Sequence, residues 1–251
     1  MLTIIPVTGL PNVAKGDNIA ELILKHGHVN GEKIRIETGD ILVISQKIVS
    51  KSEGRTVRTS KIVPSEFSKR IATETGKDPR LIEIILRETK KIVRMKQGHL
   101  IVETIQGYVC ANAGVDQSNV GVGDDTVTLL PLDSDKSADK IRKSIRTMTD
   151  LSVPVIITDT FGRAWRVGQV NFAIGVSGMK PIIDYRGTRD MYRKVLHVTE
   201  IAVADELASA AELVMNKADK VPVVIIRGYK APRGSGSGAK LIRPEENDLF
   251  R

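Results

Sequence analysis

The residues best equipped for chemistry are Asp116, Asp159, Thr160 and Lys51. The two carboxylates are hard oxygen donors of the kind that Mg²⁺ or Mn²⁺ takes while it also holds a phosphate. Asp116 lies in the stretch Cys110–Asn119, where a carboxylate, two Asn and a hydroxyl sit among small residues. Ala113 and Gly114 allow a ligand to approach the backbone closely there. Asp159 and Thr160 follow the β-branched run Val153–Thr158 and precede Phe161-Gly162-Arg163. A strand end of this kind presents a carboxylate from a rigid base. Lys51 ends a strand-like run and is a compact point charge for a phosphate oxygen. This inventory suits metal-assisted phosphoryl transfer, which depends on positioning and charge neutralisation. No Ser-His-Asp or Cys-His arrangement competes with it, and the four His do not cluster. On the residues alone, Cys110–Asn119 also reads as a polar turn whose Asp and Asn cap their own backbone, and Lys51 as a solvated surface side chain.

The elements that must position these residues can be read along the chain. Leu2–Val7 reads as a strand that enters a Gly9-Leu10-Pro11-Asn12 turn, after which Asp17 caps a helix from Asn18 to Lys25. Gly39-Asp40 is a turn signal before the strand-like run Ile41–Ser50. Ser65 caps a helix with Phe67, Ile71 and Ala72 inward, and Asp78-Pro79 opens another. Leu81, Ile82, Ile85, Leu86, Ile92 and Val93 recur at helical spacing along that second helix. Gly98–Ile105 is a strand leading into the central stretch. Gly121–Asp125 is a turn, Thr126–Leu130 a short strand and Ser137–Met148 a basic amphipathic helix. Val170–Ser177 and Val221–Arg227 read as strands, and Leu196–Lys217 as the longest helical pattern, rich in Ala. Arg233-Gly234-Ser235-Gly236-Ser237-Gly238 reads as a flexible loop that could cradle phosphate through backbone N–H groups. It lacks the Gly-Lys-Ser/Thr ending of a P-loop.

Composition narrows the class. With 251 residues, 41% hydrophobic and 27% charged, the chain is an ordinary globular protein in one domain or two closely joined ones. No apolar run approaches the roughly 20 residues that cross a bilayer, so no membrane partner is expected. No signal peptide is visible and the single Cys110 cannot form an internal disulfide, which points to the cytoplasm. The net charge of +8 draws polyanions. Aromatic residues make up only 4%, however, which leaves little material for base-stacking platforms, and no specific nucleic acid is expected. A phosphorylated small molecule accounts for the charge at least as well.

Five stretches, taken in order, resemble the coenzyme F420-0:L-glutamate ligase family (gamma-glutamyl ligases). They are Gly9-Leu10-Pro11, Val49-Ser50-Lys51-Ser52-Glu53-Gly54-Arg55, Asn112-Ala113-Gly114-Val115-Asp116-Gln117-Ser118-Asn119, Ile157-Thr158-Asp159-Thr160-Phe161-Gly162-Arg163 and Phe172-Ala173-Ile174-Gly175-Val176-Ser177-Gly178. The resemblance runs over nearly the whole chain. It implies an α+β fold, a single ligase domain over 1–251 made of two intimately joined mixed subdomains, with a soft boundary near residue 195, and an intertwined homodimer. The implied activity is a GTP-dependent ligation of L-glutamate to the lactyl carboxylate of F420-0 through an acyl phosphate, with further gamma-linked glutamates as an extension. Implied nucleotide contacts are Gly9, Leu10, Pro11, Asn12, Ser45, Gln46, Lys51 and Asn119. Implied metal ligands are Asp116, Asp159 and Thr160, and the implied catalytic set is Asp116, Asp159 and Lys51. The implied cofactors are Mn²⁺ or Mg²⁺, with GTP as co-substrate and K⁺ as an additional cation. Gln46 departs from the small residue expected at its position, and Arg233, Lys240 and Arg243 stand where the family is more acidic. Two other readings stand beside this one: a ligase of the same fold acting on another acidic small molecule, and a basic nucleic-acid-binding module.

Overall fold

The computed structural model describes residues 1–96, 98–118 and 125–249. In chain order the elements are β1 (Thr3–Val7), α1 (Ile19–His26), β2 (His28–Val29), β3 (Glu32–Lys33), β4 (Ile41–Ser45), α2 (Gln46–Ser52) and β5 (Thr56–Arg58). Next come α3 (Glu66–Thr75), α4 (Pro79–Arg87), β6 (Thr89–Lys96), β7 (His99–Thr104), β8 (Val109–Ala111) and β9 (Thr126–Thr128). The last are α5 (Ser134–Thr149), β10 (Val155–Arg163), β11 (Arg166–Ser177), β12 (Ile183–Asp184), β13 (Glu200–Ile201), α6 (Val203–Met215) and β14 (Val223–Arg227). Helices and sheets are mixed, as an α+β fold requires.

The principal sheet has the order β1-β14-β4-β10-β11. Only β4 and β10 pair in parallel; the other neighbours are antiparallel. Alternate residues of β4 serve two cores. Leu42 and Ile44 join α1 (Ile19, Ile23) and α5 (Ile141, Ile145) on one face, and Ile41 and Val43 join α6 (Leu207, Ala208, Ala211) on the other. Burial on both faces explains why the central strands are unbroken apolar runs instead of alternating ones. A third core forms where α3 and α4 cover the three-stranded sheet β6-β7-β8, around Ile71, Ile82, Ile85, Leu100 and Val102. No helix among the described residues is long and apolar enough to cross a membrane.

The local elements differ from the sequence reading in several places. The run Ile41–Ser50 divides, because the ladder to β10 stops at Ser45 and the chain coils at once into α2. Ile48 and Val49 favour strands by propensity, but here they pack into the first core from one face of a helix. Ile92 and Val93 lie in β6, not in the preceding helix, which ends at Arg87. Register shifts between Thr89 and Lys91 and between Ile92 and Arg94 break the two-residue alternation that would have marked the strand. Asn18, not Asp17, caps α1 by accepting from Ala20 N and Glu21 N, and Asp17 accepts from Ala14 N. Helix α5 begins at Ser134 with Asp133 as its cap and, at 16 residues, exceeds α6 with 13. The Ala-rich helix starts only at Val203, because Glu200–Ile201 pair with Ile183–Asp184. The glycine-rich segment is packed: Ser237 Oγ and Gly238 N both donate to Asp135, and a Cβ on Gly236 would lie 1.9 Å from Met179 O. Residues 121–124 of the expected turn lie outside the described residues.

Candidate active site

The site forms along one edge of the principal sheet. Val7 pairs with Val223, Val223 with Ile44, and Ile44 with Ile157, so four strands share a row. Just past that row the chain leaves β1 into Gly9–Asn12 and β4 into α2, while β10 runs on to Asp159 and Thr160. Three strand spacings of about 4.8 Å separate the outer members, so these groups are spread over about 14 Å, the reach of a nucleotide. The carboxyl ends of β4 and β10, the two parallel strands, lie at the middle of this edge. Open sheets commonly bind ligands beyond such ends.

Asp116 reaches this edge from the third core. After β8 the backbone takes three consecutive left-handed residues, Asn112 (φ 53°), Ala113 (φ 54°) and Gly114 (φ 68°). A Cβ on Gly114 would lie 2.7 Å from Leu130 Cγ, so this position needs glycine. Strain of this kind persists where the surroundings over-determine it, and it concentrates at functional sites. The next turn clamps Asp116 by its backbone: its N–H donates to Thr128 O at 3.0 Å and its carbonyl accepts from Thr128 N at 2.9 Å. The side chain is left to face α2. Ser118 N and Oγ donate to Asp116 Oδ1 at 2.7 and 2.8 Å, so the self-capping turn is present. The other carboxylate oxygen lies 2.8 Å from Lys47 Nζ. Burial pushes the Asp116 carboxyl up, but the hydrogen bonds from Lys47 and Ser118 and the charge of Lys47 outweigh it and hold it below the ordinary range.

Asp159 and Thr160 lie within β10, not at its end, opposite Phe172 and Asn171 of β11. They follow the last residue pair with β4, so the ladder ends there even though the strand does not. Burial, with the charge of Asp116 added, pushes the Asp159 carboxyl up to about 7, against the pull of the Thr160 N–H, Lys47 and Lys217. Thr160 Oγ1 donates to Asn171 Oδ1 at 2.6 Å and accepts from Lys217 Nζ at 2.7 Å. Glu212 closes the ring, accepting from Asn171 Nδ2 at 2.9 Å and pairing with Lys217 at 2.6 Å. Cys110 is pushed up to about 12, by burial and then by the charge of Asp159, so it offers no thiolate at neutral pH.

Of the expected nucleotide residues, Gly9 is held at φ 81°, where a Cβ would lie 2.8 Å from His28 Nδ1. Leu10 packs on the first core, while Pro11 and Asn12 are exposed. Ser45 ends β4, its N–H donating to Pro222 O. Gln46 is 1% exposed and turns inward, where its Oε1 accepts from Ser50 Oγ at 2.7 Å. Lys51 is half-buried, and its ammonium is pulled down by burial and then by the charge of Lys47. Asn119 lies outside the described residues. Sequence reasoning missed Lys47, Asn171, Glu212 and Lys217. Lys47 and Lys51 sit four apart on α2, one face of a helix, a signal concealed by reading the segment as a strand.

The donors fit a divalent cation. Asp116, Asp159 and Thr160 supply hard oxygens, the donor type a divalent cation prefers. Among the described residues no group of three or more His, Cys, Asp or Glu could hold a metal. Such a cation would therefore draw further ligands from water and phosphate, the habit of Mg²⁺ more than of a cage-bound ion.

The family model described as F420-0:Gamma-glutamyl ligase matches residues 9–228 of this chain. The coenzyme F420:L-glutamate ligase of Methanothermobacter thermautotrophicus is 47% identical, covering 100% of this chain and 99% of its own length. The protein of the same name from Methanocaldococcus jannaschii is 46% identical over 93% of this chain and 90% of its own. That from Methanopyrus kandleri is 45% identical over 100% and 98%.

Proposed function

The chain belongs to the F420-0:gamma-glutamyl ligase family, and from that premise we propose that it joins L-glutamate to the lactyl carboxylate of coenzyme F420-0 at the expense of GTP. Further glutamates then extend the product through gamma links. The observation that carries the reading is the convergence of Asp116, Asp159, Thr160, Lys47 and the Gly9–Asn12 turn on one sheet edge.

A carboxylate does not condense with an amine in water without activation. An oxygen of the acceptor carboxylate attacks the γ-phosphorus of GTP, forming an O–P bond as the bond to the GDP oxygen breaks. The uncharged amine of glutamate then attacks the acyl carbon, and inorganic phosphate leaves as the C–N bond forms. The chain's part is to hold these groups in line and offset their charge. Asp116, Asp159 and Thr160 would hold Mn²⁺ or Mg²⁺, which when bound neutralises charge on the transferring phosphoryl group. Lys51 faces the phosphates and Gly9–Asn12 receives the rest of the nucleotide, with Ser45 and Asn119 as further contacts. Gln46, whose side chain faces inward, contributes through the backbone at the start of α2. K⁺ is a further cation in this reading.

The functional form in this reading is a homodimer of two-subdomain protomers. Its support is the exposed apolar side chains Trp165 at the turn after β10, Val167 at the start of β11, and Met191, Tyr192 and Val198 between β12 and β13. Large apolar side chains left this exposed mark surfaces on which a second copy could close.

The test is incubation with F420-0, L-glutamate, GTP and Mn²⁺, read by mass spectrometry and GDP release. Closing on its ligands protects an acyl phosphate from water, so GDP release should be slow until the acceptor is present. One GDP should then appear per bond formed. GTP consumption at the same rate with and without acceptor, and no conjugate by mass, would refute the reading.

A further inference from the structure

Lys47 Nζ lies 2.8 Å from Asp116 Oδ2 and donates to Ser118 Oγ at 2.7 Å. Asp116 Oδ1 is already taken by Ser118 N and Oγ. Thus Oδ2 is the oxygen a divalent cation would have to use, and an ammonium group is bound to it. The two cannot share it. A divalent ion sits about 2.1 Å from its oxygen ligand, which would bring the two cations into strong repulsion.

The position of Lys47 gives it somewhere to go. It is the second residue of α2, and Lys51 follows four residues later on the same face, close enough for the charge of Lys47 to act on it. The charge of Lys47 acts on Lys51 across one turn of α2, and a polyphosphate drawn to that face would meet both lysines. A lysine's four-carbon stem lets the head group swing several ångströms without moving the helix.

We propose that Lys47 is a displaceable counter-ion: it neutralises Asp116 in the absence of metal and transfers to a nucleotide phosphate when a divalent cation takes Asp116 Oδ2. This rests on the ligase reading for the presence of both ligands, and gives Lys47 a role which that reading did not assign. Cation and nucleotide then help each other through the protein. A phosphate that draws Lys47 away frees the carboxylate, and a cation on the carboxylate frees Lys47, so the coupling is reciprocal. Lys47 is a positioning residue for the cation and a contact for the phosphate.

The experiment titrates Mn²⁺ into the full chain by electron paramagnetic resonance, with and without GDP, for the wild type, Lys47→Met and Lys47→Gln. Without GDP the Met variant should bind Mn²⁺ about threefold to tenfold more tightly, the scale of a partly exposed ion pair. The tightening that GDP and Mn²⁺ give each other should shrink by the same factor. Equal or weaker Mn²⁺ binding in both variants, or unchanged coupling, overturns the proposal, because a merely structural ion pair predicts those results. Thermal melts establish that each variant is folded. Should neither fold, lysine acetylation of the wild type read by mass spectrometry decides: Mn²⁺ alone should raise labelling of Lys47, and Mn²⁺ with GDP should lower it. Constant labelling overturns the proposal. Wild-type chain that binds neither Mn²⁺ nor GDP removes the ligase reading and this inference with it. Wild-type coupling that survives in the variants removes the inference alone.

Discussion

Mn²⁺ binding should weaken steeply in mild acid, and Asp159 sets the range in which it does so. Burial and the neighbouring charge of Asp116 push its carboxyl up to about 7. A cation takes only the ionised carboxylate, so proton and metal compete for it. At about pH 5.5 only about 3% of such a group is ionised, so the apparent Kd for Mn²⁺ should rise about 30-fold from its value at about pH 8. An aspartate at its ordinary value near 4 would be almost fully ionised throughout, and binding would stay nearly constant. Titration by electron paramagnetic resonance at half-unit steps reads the slope directly. Asp159→Asn should bind weakly at every pH and show no slope. A flat wild-type profile would refute the argument, because it would mean that Asp159 is not a ligand or is not raised.

The sign for stability follows from the same shift. Between the ordinary aspartate value and about 7, the metal-free folded chain holds a proton on Asp159 that the unfolded chain has released. Stability of the metal-free chain therefore falls as pH rises through that window, then levels off. Asp116 is depressed, so its contribution is present above its unfolded value and is lost only in stronger acid, outside this window. Saturating Mn²⁺ should flatten the slope, because the cation holds the folded chain in the ionised form that the unfolded chain also has in this window.

Three further outcomes are expected. Gly114→Ala places a Cβ 2.7 Å from Leu130 Cγ at φ 68°. The cost should be about 2–3 kcal/mol, with Tm lowered by about 5–10 °C, and an unchanged melt would contradict it. Asp116→Asn keeps an oxygen for the Ser118 N–H but loses the charge a cation needs. Its far-ultraviolet circular dichroism should match the wild type while ligation falls by an amount on the order of several kcal/mol in barrier, and full activity would dispose of the metal assignment. If the positive charge serves a small anionic substrate, duplex DNA should bind weakly and be released steeply by salt, and tight, sequence-selective binding at physiological salt would favour a nucleic-acid module instead.

Much of the fold is written locally, and the errors share a cause. Segments such as Pro79–Arg87, with its helical spacing and Asp78 cap, or the unbroken apolar run Val223–Arg227, buried on both faces, are legible because local preference and tertiary environment agree. The departures occur where tertiary pairing overrides local preference. Ile48 and Val49 favour a strand, yet the ladder of β4 ends at Ser45 and both side chains pack into the first core from α2. In β6 the bulges that bend the strand also erase its alternation.

The site divides along a similar line. Asp116, Asp159 and Thr160 stand out in sequence because each sits in a short stretch whose local chemistry is unusual: small residues around a carboxylate, or a carboxylate after a buried β-branched run. Lys47 and Lys217 do not, since a lysine between apolar residues or after an Ala-rich helix is what any wet surface looks like. What distinguishes them is the partner across space. Lys47 meets Asp116 from 69 residues away and Lys217 meets Thr160 from 57. Both meetings depend on the order β1-β14-β4-β10-β11, which places the start of β14, just after Lys217, between the ends of β1 and β4. That order is fixed by which faces of the strands bury against α1, α5 and α6, not by any residue of the site. A basic side chain brought to a carboxylate in this way can be exchanged for a metal ion without disturbing the sheet. The carboxylates, by contrast, are anchored through their backbones, Asp116 by Thr128 and Asp159 by its place in β10. In the ligase reading this divides the labour: the carboxylates proposed as ligands are built into strands and bridges, and the lysine proposed to give way to a cation is carried on a flexible stem at the sheet's edge.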